Sequence, residues 1–467
     1  EISACLVGSE MCIRDKIKNN PSKQKEYLDK TLSNLNANKN LNAFLNYVKD
    51  YKFSKKSDSV LNGIYYAVKD NINVHDTITT GGSLFFENYK SPYSATVIKL
   101  LDEVGAIPIC KTNLDEFGLG GTGLFSAYGD VINPIDETRI SGGSSSGSAV
   151  LVAKKIVPFA LGTDTGDSIR MPASFLGVYG YKPTYGLISR FGVFPYSPSI
   201  DHVGLFTNSI DDIAIVMDVI NSYDENDFTS QQTKLSFVSE INNVNKKWKI
   251  ATIKNIVDLL GKDEKSLYDK TLKLISSEYK ISETNFPVDL VHLIPVVYEI
   301  LSYSEAVSCY QNITGITFGK KGEGKTFEEK IVNTRTKNFG KELKRRFVLG
   351  SYTTLKENED VLLRCKKIRR LIVDKATELL KEYDFIVMPG ASTIAPKVKD
   401  VKENKNQISD VDNYLQIANF GGFPSLTIPM GKINNMPIGI NIMGNINSDN
   451  KLLAFAKVID KLIKGEK

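Results

Sequence analysis

Short apolar runs alternate with segments of helical periodicity along most of the chain. The runs are five or six residues long, which suits buried strands, and they are Ile64–Val68, Ala106–Cys110, Ile156–Leu161, Phe385–Pro389, Ser425–Pro429 and Ile438–Met443. Ala95–Val104, between the first two runs, has the spacing of an amphipathic helix. Strands that alternate with helices are typical of layered α/β proteins, so we predict an α/β fold.

Polar segments interrupt this pattern. Residues 16–60 are rich in lysine and have helical spacing, with one predicted apolar face formed by Leu41, Phe44, Leu45 and Val48. Three further polar stretches are predicted as loops or surface insertions: 221–247, 319–341 and 396–411. They separate a glycine-rich front part from a more helical segment, 260–382.

Length bounds the number of domains. The chain has 467 residues, which exceeds the roughly 250–300 at which one core usually stops growing, so we expect two lobes or one unusually large sheet. We treat 16–465 as a single domain with its core in 60–220. Residues 1–15 lack the basic start and long apolar stretch of a signal peptide, and we interpret them as a possible non-native leader. No apolar run reaches 18 residues, so we expect no membrane-spanning helix.

Charge and cysteine content indicate a solvated surface in a reducing compartment. The net charge is +5, and only 10 of the 59 basic residues are arginine. Lysines are interspersed with acidic residues and form no arginine-rich stripe, so the charge does not predict a nucleic-acid-binding surface. The five cysteines are mostly isolated, which predicts no disulfide framework and favours a cytoplasmic location.

Histidine is scarce. The three histidines, His75, His202 and His292, are far apart, so no histidine pair has the spacing of a zinc site, and we predict no metal in this chain. None lies in a recognisable catalytic context. If the chain is an enzyme, we expect another residue to serve as its base.

Two glycine-rich turns and one lysine are candidates for that chemistry. Ser141–Ser148 precedes a helix-like segment, and Leu161–Arg170 ends a predicted strand. Lys69 ends another apolar run, where desolvation would lower the pKa of its amine and allow it to act as a general base. Ser144 and Ser168 follow it, so a lysine and two serines can form an activated nucleophile. Spacing alone still favours a surface lysine and two loop serines.

The motifs around these residues resemble the amidase signature family. The resemblance covers about residues 30–460 and is carried by Gly142–Ser145, Gly162–Asp164, Gly166–Arg170 and Gly177–Gly186. It implies a large mixed β-sheet covered by helices on both faces. It also implies that Ser168 is the nucleophile, Ser144 the bridging serine beside a cis peptide bond, and Lys69 the base.

The resemblance also implies roles for the residues around this triad. Backbone N–H groups of Thr165, Gly166 and Asp167 are expected to form the oxyanion hole, and Asp164 with Arg170 a structural ion pair. The chain departs from the family at Asp167 and at Ser146, where glycine is usual. A carboxylate beside the oxyanion hole is expected to alter the local charge.

Further segments resemble the glutamine-using subunits of tRNA-dependent amidotransferases within this family: Lys111–Phe117, Ser189–Val193, Gly340–Gly350 and Ala418–Pro424. The resemblance implies that Arg346 binds the carboxylate of glutamine, Asp412 its ammonium, and Tyr298 another part of it. One departure is Gly123–Phe125, which replaces a more polar stretch and is expected to change the rim of the pocket.

The implied activity is hydrolysis of glutamine to glutamate, with the ammonia passed to a partner. A B subunit would activate the mischarged tRNA with ATP and Mg²⁺, and a small C subunit would bridge the two, so no cofactor is expected in this chain. Two alternatives stay open. One is a stand-alone amidase for other small amides, and the other, suggested by Asp167, is a catalytically silent scaffold.

Overall fold

An eleven-stranded mixed sheet forms the centre of the protein. A computed structural model describes residues 21–48, 58–403 and 413–466. The strands lie in the order β1-β3-β2-β4-β6-β5-β10-β11-β9-β7-β8. In chain order they are β1 Phe44–Tyr47, β2 Tyr65–Lys69, β3 Ile107–Thr112, β4 Phe159–Asp164, β5 Tyr179–Lys182, β6 His202–Thr207, β7 Ile250–Ile253, β8 Ile281–Thr284, β9 Phe385–Pro389, β10 Ser425–Ile433 and β11 Met436–Gly444.

Helices of the described residues surround the sheet. They are α1 Pro21–Ala37, α2 Thr96–Glu103, α3 Ser146–Ala153, α4 Arg170–Leu176, α5 Ile210–Ile220, α6 Lys254–Val257, α7 Lys262–Ser276, α8 Val288–Tyr310, α9 Phe327–Asn338, α10 Lys341–Thr354, α11 Glu359–Glu382, α12 Val398–Lys402, α13 Ile417–Phe420 and α14 Asp449–Lys464. Short 3₁₀ turns occur at Lys39–Leu41, Leu84–Phe86, Glu116–Gly118 and Lys356–Asn358. All six predicted apolar runs contain strand residues, and the helix predicted at Ala95–Val104 is α2.

Both faces of the sheet are buried. Neighbouring side chains of one strand point to opposite faces, so a single strand shows the packing on each side. In β2, Tyr66 and Val68 belong to one apolar cluster, whereas Tyr65 and Ala67 belong to another. The first cluster includes side chains of α2 and α5, and the second includes side chains of α3 and α4. Parallel pairs, such as β2 with β3 and β4, and antiparallel pairs occur in the same sheet. The predicted mixed sheet with helices on both faces is confirmed.

Two sequence predictions of local structure are wrong. Phe44 and Leu45, predicted on a helix face, lie in β1, which pairs antiparallel with β3. The stretch 319–341, predicted as a loop or a surface insertion, is not a loop, since it contains α9 and the first residue of α10. The stretch 396–411 contains the short helix α12, and its residues beyond Glu403 lie outside the described residues, as do the proposed leader 1–15 and Asp412.

Among the described residues, one helix, α8, is long and apolar enough to cross a membrane by length and composition. It is interrupted by charged residues such as Glu299 and Glu305, and it packs against α10 and α11. Its buried side chains include Val291, Ile294 and Leu301.

Candidate active site

Lys69 is fully buried at the carboxyl end of β2. Its Nζ lies 2.8 Å from Ser144 Oγ, 2.8 Å from Ser145 Oγ and 2.8 Å from Thr163 Oγ1. Burial lowers the pKa of Lys69 to about 7, although Asp115, Asp164 and Asp201 oppose the shift. Near neutral pH a large share of Lys69 therefore carries a lone pair, which can accept a proton from the Ser144 hydroxyl.

Ser144 lies in the glycine- and serine-rich turn that leads into α3. The peptide bond between Gly143 and Ser144 is cis, as the resemblance implied. Asp115 fixes this turn, because its N–H donates to Ser144 O at 3.3 Å. The carboxylate of Asp115 in turn accepts from the backbone N–H groups of Thr122, Gly123 and Phe125. This network fixes the bridging serine against the lysine.

Ser168 lies in the turn between β4 and α4, and the structure brings this turn to the lysine and Ser144. Its carbonyl oxygen accepts from Ser145 N at 3.3 Å, and its side chain is buried. The predicted ion pair is present, since Arg170 Nη2 lies 3.0 Å from Asp164 Oδ1 and both side chains are fully buried. Burial would raise the pKa of Asp164, but the Arg170 guanidinium outweighs it and holds that pKa well below its usual range.

The same arginine orients the peptide that was predicted as the oxyanion hole. Arg170 Nη2 donates to Gly166 O at 2.6 Å, and Asn419 Oδ1 accepts from the same nitrogen at 2.6 Å. Because the peptide unit is planar and trans, fixing the Gly166 carbonyl turns the Asp167 N–H to the opposite side. The N–H groups of Gly166 and Ser168 donate to no described group, which leaves them available to an oxyanion. The hydroxyl of Thr165 donates a hydrogen bond to Asp201 Oδ1 at 2.6 Å.

Arg346 and Tyr298 lie next to this turn. A Cβ on Gly166 would be 3.0 Å from the Tyr298 ring, so the ring packs directly on the glycine. Tyr298 lies close to Tyr196, whose hydroxyl accepts from Arg346 Nη1 at 2.9 Å. Arg346 is 9% exposed, and its Nε donates to Glu342 at 2.8 Å, whereas its Nη2 donates to no described group. Among the described residues, no acceptor therefore occupies the Nη2 edge of the guanidinium, whereas its face lies 5.0 Å from the centroid of the Tyr303 ring.

Asp412, predicted to bind the ammonium of the substrate, lies outside the described residues. Its role stays a prediction. The side chain of Asp167 is partly exposed and electrostatically coupled to Tyr298, so the described part of the site already carries one carboxylate near the nucleophile turn.

A cavity of about 290 Å³ opens beside the nucleophile turn. It reaches Gly118, where an added Cβ would lie 3.6 Å from Ser144 Oγ. Its wall combines aromatic rings with a few polar groups, and among its lining residues are Asn71, Thr163, Thr165, Tyr196, Asp201 and His202. A mostly apolar wall with a few polar groups is typical of a small-molecule site.

His202 was not predicted to act as a base, and its surroundings do not favour that role. Burial lowers its pKa well below the usual range, with a further contribution from Lys182. Its Nδ1 lies 2.7 Å from Ile200 O, and the described residues offer no partner to its Nε2.

Three contributors to the site were missed by sequence reasoning. Ser145 and Thr163 surround the lysine amine, and both belong to motifs that were recognised, so their proximity to Lys69 could have been suspected. Tyr196 accepts a hydrogen bond from Arg346, and no spacing or composition signal in its segment predicted this contact.

A buried lysine, a serine beside a cis peptide bond and a second serine turn on a mixed sheet form the arrangement expected of an amide-cleaving enzyme that uses no histidine. The Amidase family model matches residues 29–453, and the chain belongs to that family. It is 44% identical to the glutamyl-tRNA(Gln) amidotransferase A subunit of Mycoplasma genitalium, over 95% of this chain and 96% of that protein.

Solved structures agree with this assignment. The crystal structure of the glutamyl-tRNA(Gln) amidotransferase A subunit from Thermotoga maritima is similar, with a TM-score of 0.82 and 32% identity, over 96% of this chain and 94% of that chain. A peptide amidase from Stenotrophomonas maltophilia has a TM-score of 0.81 at 24% identity, over 95% and 94% of the two chains. At that identity, the second likeness concerns the fold alone.

Proposed function

We propose that this chain is the glutamine-hydrolysing subunit of a tRNA-dependent amidotransferase. The observation that carries the proposal is the buried Arg346, linked through Tyr196 and Tyr298 to the turn that holds Ser168. Arginine binds a carboxylate through paired N–H donors, so a free amino acid can be held with its side-chain amide near the nucleophile. The relatives that carry the name of such a subunit support the same substrate.

In the proposed reaction, Ser168 Oγ attacks the amide carbon of glutamine while its proton passes to Ser144. Ser144 in turn gives its own proton to the neutral Lys69, which lies 2.8 Å away. The negative charge that develops on the carbonyl oxygen is stabilised by backbone N–H groups of the turn from Thr165 to Ser168, where those of Gly166 and Ser168 donate to no other described group. The C–N bond then breaks, and the lysine proton returns through Ser144 to the leaving ammonia. Water hydrolyses the acyl-enzyme by the reverse proton route and releases glutamate.

In this proposal the ammonia is used by a partner. A B-type subunit would activate the mischarged Glu-tRNA(Gln) with ATP and Mg²⁺ and aminate it, and a small C-type subunit would bridge the two proteins in the cytoplasm. The tRNA would be bound mainly by the partner. This chain itself would then need no cofactor.

The test compares ammonia release from glutamine and from propionamide. Ser168→Ala is expected to abolish both activities. Arg346→Ala is expected to raise KM for glutamine about 30-fold, since a hydrogen bond to a charged group contributes roughly 2 kcal/mol, while propionamide turnover stays close to wild type. Arg345→Ala is the matched control, because Arg345 is half exposed and shares the Glu342 partner without contacting Tyr196.

Each alternative has its own outcome. Equal use of both amides by the wild type, with no effect of Arg346→Ala on glutamine, would favour a stand-alone amidase. A wild type with no covalent adduct on Ser168 after treatment with a serine-directed amide analogue would favour a catalytically silent scaffold.

A further inference from the structure

Glu116 is a buried carboxylate that the proposed reaction does not use. It lies in the 3₁₀ turn after β3, and its side chain is 2% exposed. Its Oε1 accepts from Ser83 Oγ at 2.5 Å, and its Oε2 accepts from Gly340 N at 2.8 Å. Burial raises the pKa of Glu116 to about 7, although these two hydrogen bonds and Lys344 oppose the shift. Burying such a group is costly, so its position calls for an explanation.

On one side, the turn that carries Glu116 touches the bridging serine. The preceding residue, Asp115, donates its N–H to Ser144 O. Two residues after Glu116, the Cβ position of Gly118 lies 3.6 Å from Ser144 Oγ. Phe117, between them, is fully buried and stacks on Tyr310 with ring centroids 4.7 Å apart. The turn is therefore fixed with respect to the Ser144 hydroxyl.

On the other side, Glu116 holds the start of α10, the helix that carries Arg346. Gly340 is the N-cap of this helix and offers no side chain to its first turn. The carboxylate of Glu116 binds the Gly340 N–H across 224 positions of sequence. A Cβ on Gly340 would lie 2.6 Å from Glu116 Oε2, so a larger residue there would displace the carboxylate. Arg346 is six residues further along, about 9 Å at the usual helical rise.

A simple capping role does not explain this arrangement. The neighbouring helix α9 is capped locally, by Thr326 and Glu329 in a reciprocal capping box at the surface. The chain thus has a local way to cap a helix without burying a carboxylate. In α10 the partner is instead a distant residue, attached to the segment that contacts Ser144.

We propose that Glu116 is a positioning residue that sets the distance between the Ser144 turn and the Arg346 helix. Through that distance it determines selectivity for an amide substrate that carries a carboxylate. The selectivity part rests on the function proposed above, whereas the mechanical link between the two elements does not.

The kinetic test measures glutamine and propionamide hydrolysis in Glu116→Ala, Glu116→Gln and Thr326→Ala. Glu116→Ala is expected to raise KM for glutamine at least tenfold with kcat changed less than threefold, and to leave propionamide turnover near wild type. Glu116→Gln is expected to restore most of the affinity, because its oxygen can accept from Gly340 N and its amide can donate to Ser83 Oγ. Thr326→Ala removes a helix cap of similar kind from α9 and is expected to leave both KM values unchanged.

Hydrogen exchange tests the mechanical link in the intact protein. In Glu116→Ala the peptide spanning residues 338–344 is expected to exchange faster than in wild type, and in Glu116→Gln close to wild type. Unchanged exchange would overturn the link. A parallel fall in kcat for both amides with unchanged KM would overturn the selectivity role. If the wild type does not hydrolyse glutamine, the proposed function and the selectivity role are both wrong, and the exchange data alone decide on the link.

Discussion

At the scale of single residues, Lys69 differs from its buried neighbour Lys111 in the partners of its amine. Lys69 is the last residue of β2, and its amine is surrounded by hydroxyl groups and a carbonyl rather than by a paired carboxylate. Lys111, in the adjacent strand, is equally buried but lies 3.0 Å from Asp70. Of these two lysines, Lys69 has no direct carboxylate partner and is the better suited to lose its proton near neutral pH.

The first prediction concerns the pH dependence of activity. Because Lys69 must be neutral to accept a proton, kcat/KM for glutamine is expected to rise with pH and level off above an apparent pKa of about 7. Lys69→Met is expected to lower kcat/KM about 10²–10⁴-fold across the range. The measurement is a pH–rate profile of both proteins, with Lys111→Met as a second buried-lysine variant for comparison of folding. A wild-type profile that is flat through pH 7 would contradict the role of Lys69.

The lowered pKa also predicts a change in stability with pH. The pKa of Lys69 is about 7 in the folded protein and about 10.5 when unfolded, so between these values the unfolded state binds more protons. The free energy of unfolding is therefore expected to rise with pH across this window, by at most about 1.4 kcal/mol per pH unit from this group. In Lys69→Met this contribution to the slope is expected to disappear in urea titrations between pH 7 and 10. An unchanged slope would mean that Lys69 is charged in the folded protein.

Lys69, Ser144 and Ser168 could be named from the sequence because they lie in local motifs that resemble a known family, and the structure places the Lys69 amine 2.8 Å from Ser144 Oγ. Their catalytic roles stay predictions. The substrate-side contacts could not be predicted in the same way. Tyr196 reaches Arg346 across 150 positions of sequence, and Glu116 reaches Gly340 across 224. Such contacts depend on how distant elements pack, and a single sequence carries no local signal for them.

At the scale of elements, the two wrong predictions of local structure have physical causes. Phe44 and Leu45 have apolar neighbours at helical spacing, but pairing with β3 at the sheet edge determines their conformation. The helix α9 is polar around its circumference, so hydrophobic periodicity failed to detect it. Its start, however, has a sequence signal, since Thr326 precedes Glu329 by three residues as in a capping box.

Near its start, helix α3 lies very close to the backbone next to strands β1 and β3. An added Cβ on Gly147 would lie 2.0 Å from Ala43 O and 2.7 Å from Asn113 O, both of which are backbone atoms. Gly147→Ala is expected to shift the start of α3, to destabilise the protein by about 1–3 kcal/mol or more and to lower activity at least tenfold, because Ser144 and Ser145 immediately precede it. The measurements are urea unfolding and glutamine hydrolysis.

Gly121→Ala is the matched control for this prediction, since Gly121 lies in the loop that contacts the Ser144 turn and an added Cβ there meets nothing within 4 Å. It is expected to behave like wild type in both measurements. A stable and active Gly147→Ala protein would show that α3 can shift without disturbing the triad.

At the scale of the whole molecule, one sheet joins the catalytic strands to the distal strands. The antiparallel pair of β5 with β10 connects the two halves, and one apolar cluster includes side chains from Leu61 to Ile459. Composition and length left two lobes and one large sheet as alternatives, and the sheet is the arrangement observed. Continuous packing across the β5–β10 pair predicts that the whole sheet unfolds as one cooperative unit.

The single tryptophan provides a test of that prediction. Trp248 precedes β7 at the distal end, packed on Phe385 and Phe455, and is six strand-to-strand steps from β4, or about 29 Å. Phe159 is the first residue of β4, the strand whose other end leads into the Ser168 turn, and it is buried and stacked on Tyr66. Phe159→Ala is expected to lower the free energy of unfolding by about 3–5 kcal/mol.

If the sheet is one cooperative unit, this loss at the catalytic end lowers the stability reported at the distal end by the same amount. Trp248 fluorescence and circular dichroism are then expected to show one urea transition, and its midpoint shifts equally for both signals in Phe159→Ala. Phe228→Ala removes a fully exposed ring and is expected to leave the midpoint unchanged. A Trp248 transition that stays at its wild-type midpoint in Phe159→Ala would divide the chain into two separately folding units, because the distal strands would then be stable without the catalytic ones.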